Sequence, residues 1–119
     1  MTAGILTGLA LPGLVVAGVT LTAAATSSQG MGIVEQGNGK GAPACASCHG
    51  ARLEGNPALK VPALSGLPAT AVLARLSHYA GPTGHNAAMR AVAIALDPSE
   101  RVAVARYISG LPKAAALKP

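Results

Sequence analysis

The stretch GAPACASCHGARLEG, residues 41–55, holds both cysteines of this 119-residue chain and one of its three histidines. Cys45, Cys48 and His49 fall within five positions of one another. The rest of the composition makes that concentration informative. Half of the residues are apolar, yet there is no Trp and no Phe, and only Tyr79 and Tyr107 are aromatic. Aromatic side chains bury the most area per residue. A one-domain chain built without them has a thin core unless a bulky non-protein group fills its centre.

Charge is sparse and one-sided. Nine Lys or Arg stand against four Asp or Glu, for a net charge of +5, and none of the thirteen precedes Glu35. A basic surface suits acidic partners. The cations are scattered singly, with no Lys/Arg run and few rings to stack on bases, which argues against nucleic acid.

The uncharged N-terminal run, AGILTGLALPGLVVAGVTLTAAAT, is long enough to span a bilayer as a helix and longer than a usual signal-peptide core. Pro12-Gly13 and the many Gly, Ala and Thr residues weaken an anchor, and Ala23-Ala24-Ala25 offers an A-x-A cleavage site. We read residues 1–25 as a membrane anchor, with a cleaved signal peptide as the alternative. Either one exports the remainder. Residues 26–30, TSSQG, read as a short linker, residues 31–112 as the folded domain and 113–119 as a tail.

Within the domain the patterns are helical. MGIVEQGNGKG brings Ile33, Gly37 and Gly41 to one face of a weak helix. LEGNPALKVPALSGLP is a loop punctuated by Pro and Gly. A helix starts near Pro68, with Val72, Leu73, Leu76 and Tyr79 on one face and His78 opposite. Another follows the N-cap candidate Asn86, with Met89, Val92, Ala93 and Leu96 at helical spacing. The last has Asp97 as cap, Pro98 in its first turn and Glu100 at a capping-box position. Val104, Tyr107, Ile108 and Leu111 form its stripe, and Gly110 and Pro112 end it. No useful stretch alternates with period two, so the expected fold is all-α, with about four short helices.

Cys45-Ala46-Ser47-Cys48-His49 is C-x-x-C-H, which in an exported chain is the attachment motif for c-type haem. Two thiols three residues apart on one turn can bond to the two vinyl groups on one porphyrin edge, and the next residue aims its imidazole at the iron. One covalent haem would also supply the bulk that the aromatic-poor core lacks. Three rival readings fit less well. A thioredoxin-like site needs strands. A zinc site needs a second ligand pair, and His78 and His85 are too far apart for the usual His spacing. A bare disulfide leaves His49 unexplained. For the second axial position the candidates are Met31, His78, His85 and Met89. Met89 lies on an apolar helix face and is the only methionine after the motif, so it is the expected ligand, with His85 in reserve.

From Gly37 to about Leu111 the chain resembles class I c-type cytochromes, particularly small bacterial ones, through PACASCHG and the later pattern M…VA…L…ERVAVARYISGLP. The resemblance implies a cytochrome c-like domain around one haem c. It implies that the carbonyl of Pro62 accepts the ring N–H of His49, that Leu64 packs on the haem and that Tyr79 lies near it. In that family a glycine of the first helix meets an aromatic of the last. Gly37 and Tyr107 fit those roles, although Gly41 stands where the family carries an aromatic one turn later. Arg75 and Arg90 are candidate partners for the propionates.

The expected function is one-electron transport by low-spin iron in a periplasmic respiratory chain, with donor and acceptor proteins bearing acidic docking surfaces. A relay subunit of a membrane dehydrogenase or oxidase is the alternative. A haem enzyme or gas sensor ranks below both. No general acid or base stands out near the motif, so no catalysis and no small-molecule substrate are expected. The expected location is the periplasmic face of the cytoplasmic membrane, or the soluble periplasm if residues 1–25 are removed.

Overall fold

The computed structural model describes residues 15–114 together with Gly4 and Gly8. Among these residues there are five α-helices and no strand: α1 (Val15–Gln36), α2 (Ala46–His49), α3 (Ala69–Ala80), α4 (Ala87–Ala95) and α5 (Pro98–Ser109). A single antiparallel bridge joins Asn56 and Val61 around a 3₁₀ turn, Pro57–Leu59.

Local signals account for the last three helices. Pro68 is the N-cap of α3. Asn86 caps α4, its side-chain oxygen accepting the N–H of Met89 at 3.0 Å. Asp97 caps α5 by accepting the N–H of Glu100 at 2.8 Å, and Ser99 adds a hydroxyl bond at 2.7 Å. Such caps satisfy backbone donors that have no partner within the helix. Glu100, expected to complete a capping box, instead sends its carboxylate to Asn38 and Lys40, at 2.9 and 2.8 Å.

The first helix departs most from the sequence reading. Residues 26–30, read as a linker, are helical and continuous with α1. That helix then stops at Gln36, so the expected Ile33–Gly37–Gly41 face does not form. Gly37 closes it, with φ +84° and its N–H on the carbonyl of Ile33 at 2.9 Å. The glycine that meets α5 is Gly30. A Cβ there would lie 2.8 Å from the Cβ of Tyr107 and closer still to the carbonyl of Ala103. Gly30 and Gly37 are seven residues apart, about two turns, so they share a helix face and periodicity cannot choose between them. With the crossing moved to Gly30, the residue one turn later is Val34, which is buried. No helix among the described residues is long and apolar enough to cross a membrane. Residues 1–14 of the expected anchor or signal, apart from Gly4 and Gly8, and residues 115–119 of the tail, lie outside the described residues.

The α5 helix is the hub, packing along α1 and α3, while α4 packs along α3. Its buried stripe is wider than expected, because Ala103 and Ala105 join Val104 and Ile108 in the core. The small side chains let α1 approach. The core holds no fully buried aromatic; its largest fully buried side chains are Leu53, Leu96, Ile108 and Val104.

Candidate functional site

The C-x-x-C-H motif folds into the single turn α2. The N–H of His49 bonds to the carbonyl of Cys45 at 2.9 Å, and that of Gly50 to Ala46 at 3.1 Å. Gly50, with φ +95°, ends the turn. No disulfide joins Cys45 and Cys48. Cys45 is half-buried against the core, and burial pushes its thiol pKa up. Cys48 is exposed.

His49 is buried, and its Nδ1 lies 2.8 Å from the carbonyl oxygen of Pro62. A carbonyl can only accept, so Nδ1 carries the hydrogen and Nε2 keeps its lone pair for a metal. The bond also fixes the ring orientation and raises the basicity of Nε2.

Several residues after the motif bring Pro62 into place. The N–H of Gly55 donates to the carbonyl of His49 at 2.7 Å. Gly55 has φ +78°, and a Cβ on it would sit 2.6 Å from the nitrogen of Ala63 and 2.8 Å from the carbonyl carbon of Pro62. Only a glycine lets the Pro62 loop come this close. Leu53 is almost fully buried and has φ +55°. Such a backbone costs about 1–3 kcal/mol, which burial of a leucine side chain, about 1.5–3 kcal/mol, offsets. In that conformation its carbonyl accepts the N–H groups of Leu64 and Ser65, at 2.8 and 3.3 Å. Sequence reasoning missed Leu53 and Gly55. The Gly in LEGNP was the available signal, but it reads equally well as an ordinary loop glycine.

Of the residues expected at the site, the structure brings His49 and Pro62 into direct contact. Cys45, Leu64, Tyr79 and Met89 are all half-buried against one common core. Met89 occupies the first turn of α4. Met31 (44% exposed), His78 and His85 all face solvent. Arg90 is occupied by the carbonyls of Ala80 and Gly81, tying α4 to the end of α3. Arg75 is exposed.

Two thiols on one turn, followed at once by a buried imidazole with a free Nε2, fit a haem bound through two thioethers with iron on that nitrogen. The fold and the site thus define a haem-attaching all-α domain. A cytochrome c family profile matches residues 34–112. The chain is 34% identical over 108 residues to cytochrome c4 of Azotobacter vinelandii, an alignment covering 87% of this chain and 46% of that protein. It is 39% identical over 70 residues to the thiosulfate dehydrogenase electron acceptor of Thiomonas intermedia (strain K12), covering 59% of this chain and 32% of that protein. Among solved structures, reduced recombinant cytochrome c4 from Pseudomonas stutzeri superposes with a TM-score of 0.66 at 29% identity, over 75% of this chain and 50% of that one. Thiosulfate dehydrogenase from Marichromatium purpuratum superposes with a TM-score of 0.69 at 29% identity, over 72% of this chain and 19% of that one. The chain belongs to the cytochrome c family and carries covalently bound haem c. It spans less than half of the length of either sequence relative.

Proposed function

We propose that this domain carries one electron at a time on a haem iron held between Nε2 of His49 and the sulfur of Met89. The observation that carries the reading is the bond from His49 Nδ1–H to Pro62, because it presents the other ring nitrogen as a metal ligand in a fixed orientation. The half-buried position of Met89 against the core shared with Cys45 supports its role. Thioether ligation favours ferrous iron and raises the potential. Iron with both axial positions filled has no place for a substrate, so the domain is a carrier and not a catalyst. The net charge of +5 suits acidic docking patches on donor and acceptor proteins, met through small interfaces. The test is the ferric spectrum of the haem-loaded protein. Met89→Ala is expected to remove the weak band near the red end of the visible range and to lower the potential. An unchanged spectrum would move the ligand to His85 or elsewhere.

A second reading is a relay within a larger redox assembly. It is favoured by the relative named as the electron acceptor of thiosulfate dehydrogenase, and by the match to a part of a thiosulfate dehydrogenase chain. A relay subunit co-purifies with its enzyme, whereas a free carrier shows salt-sensitive kinetics with several partners. We further propose that the domain works at the periplasmic face of the cytoplasmic membrane, from the uncharged run that precedes Glu35. Fractionation tests this. A soluble periplasmic protein beginning at Thr26 would show that residues 1–25 are a cleaved signal.

A further inference from the structure

Asn38 stands just after α1, in the loop that leads into the motif, and its side chain is fully used. Its Oδ1 accepts the N–H groups of Lys40 and Ala42, at 2.9 and 3.0 Å. Its Nδ2 donates one hydrogen to the carbonyl of Ala95 at 2.8 Å and the other to Oε2 of Glu100 at 2.9 Å. Ala95 is the last residue of α4, and Glu100 sits in the first turn of α5. One side chain therefore joins the loop entering Cys45 to the corner between α4 and α5.

Glu100 is 3% exposed. A buried carboxylate is costly unless it is paired and hydrogen-bonded. Asn38 donates to Oε2, and the ammonium of Lys40 lies 2.8 Å from Oε1 as an ion pair, although Oε1 takes no hydrogen bond. Lys40 itself is largely exposed and also lies 3.6 Å from the carboxylate of Asp97. The α4 helix has α3 as its main helix neighbour. The side-chain bonds at its C-terminal end come from Asn38 and from Arg101, which reaches the carbonyls of Ala93 and Leu96 at 2.8 and 3.1 Å.

We propose that Asn38 and Glu100 are positioning residues for the iron site: they clasp the Met89 helix to the loop that carries Cys45 and His49, and so keep Met89 on the iron. The proposal rests on the reading of Met89 as the second axial ligand. Both act by fixing the distance between the elements that supply its two ligands. Asparagine is specifically required, because both of its amide hydrogens go to acceptors. Aspartate has the same shape but sets an oxygen against the carbonyl of Ala95 and a second negative charge against Glu100.

The test is a double-mutant cycle on the haem-loaded ferric protein, read by titration with imidazole. Imidazole competes for the iron, so its apparent affinity reports the fraction of molecules in which Met89 is off. Asn38→Asp is expected to raise that affinity about tenfold in the parent background and to leave it unchanged in Met89→Ala, where no ligand is left to hold. A rise of equal size in both backgrounds would overturn the clasp, since it reports general loosening of the haem site. No rise in Asn38→Asp, with a rise in Met89→Ala, would overturn the clasp and leave Met89 as ligand. No rise in Met89→Ala would remove the ligand assignment and the clasp with it. Should Asn38→Asp fail to fold with haem, Lys40→Met replaces it in the same cycle, with a rise confined to the Met89 background as the supporting result and no such rise as the overturning one.

Discussion

The ring of His49 donates its Nδ1 hydrogen to the carbonyl of Pro62, 2.8 Å away and thirteen residues downstream. This contact links the attachment turn to the loop after it and decides which nitrogen of His49 faces a metal. It depends on how closely two backbone segments pass, and therefore on Gly55, which lies between them.

Gly55→Ala is expected to destabilise the haem-loaded protein by more than about 1 kcal/mol, since alanine at a positive φ is strained even before contacts are counted. Here the new methyl group also meets the Pro62–Ala63 backbone. Denaturant unfolding of parent and variant measures the loss. Equal midpoints would mean that the Pro62 loop adjusts freely and that His49 is not held as described.

Two glycines of α1 should respond with opposite signs. Alanine is the better helix former by about 1 kcal/mol. At Gly32 a Cβ meets nothing within 4 Å, so Gly32→Ala is expected to stabilise the fold by up to that amount. At Gly30 the same change drives a methyl group into the carbonyl of Ala103 and the side chain of Tyr107. Overpacking of this kind costs about 1–3 kcal/mol, so Gly30→Ala is expected to lower the unfolding midpoint. A stabilising Gly30→Ala would place the α1–α5 crossing elsewhere.

Asp97 gives the fold an acid-side pH dependence. The Ser99 hydroxyl and the N–H of Glu100 hold its carboxyl well below the ordinary carboxylate range, with Lys40 contributing less. A carboxyl whose pKa is lower in the folded state adds stability that is present above its unfolded pKa and fades as pH falls toward the folded value. Asp97→Ala is therefore expected to lower the thermal midpoint at neutral pH, with the gap between variant and parent narrowing below about pH 4. A gap that stays constant down to strongly acidic pH would show that the cap works without its charge.

The chemistry and the local boundaries are legible in short stretches of the chain. Cys45, Cys48 and His49 are neighbours along the chain, so their spacing on one turn is a covalent fact that no packing alters. The starts of α4 and α5 were legible for the same reason: Asn86 and Asp97 cap N–H groups only three residues ahead. Features that depend on distant segments meeting emerge only when the elements pack. Gly30, not Gly37, crosses α5, because two glycines on one face look alike until the partner helix is placed. Glu100 sits at a capping-box position, yet its carboxylate goes to Asn38, sixty-two residues away in sequence. Leu53 adopts a positive φ that no leucine favours, because burying its side chain and satisfying Leu64 and Ser65 offsets the strain. Short-range signals act through bonds and hydrogen bonds fixed by sequence separation. Close approaches are set by the volume left when whole elements pack, and that volume is written in no single stretch of the chain.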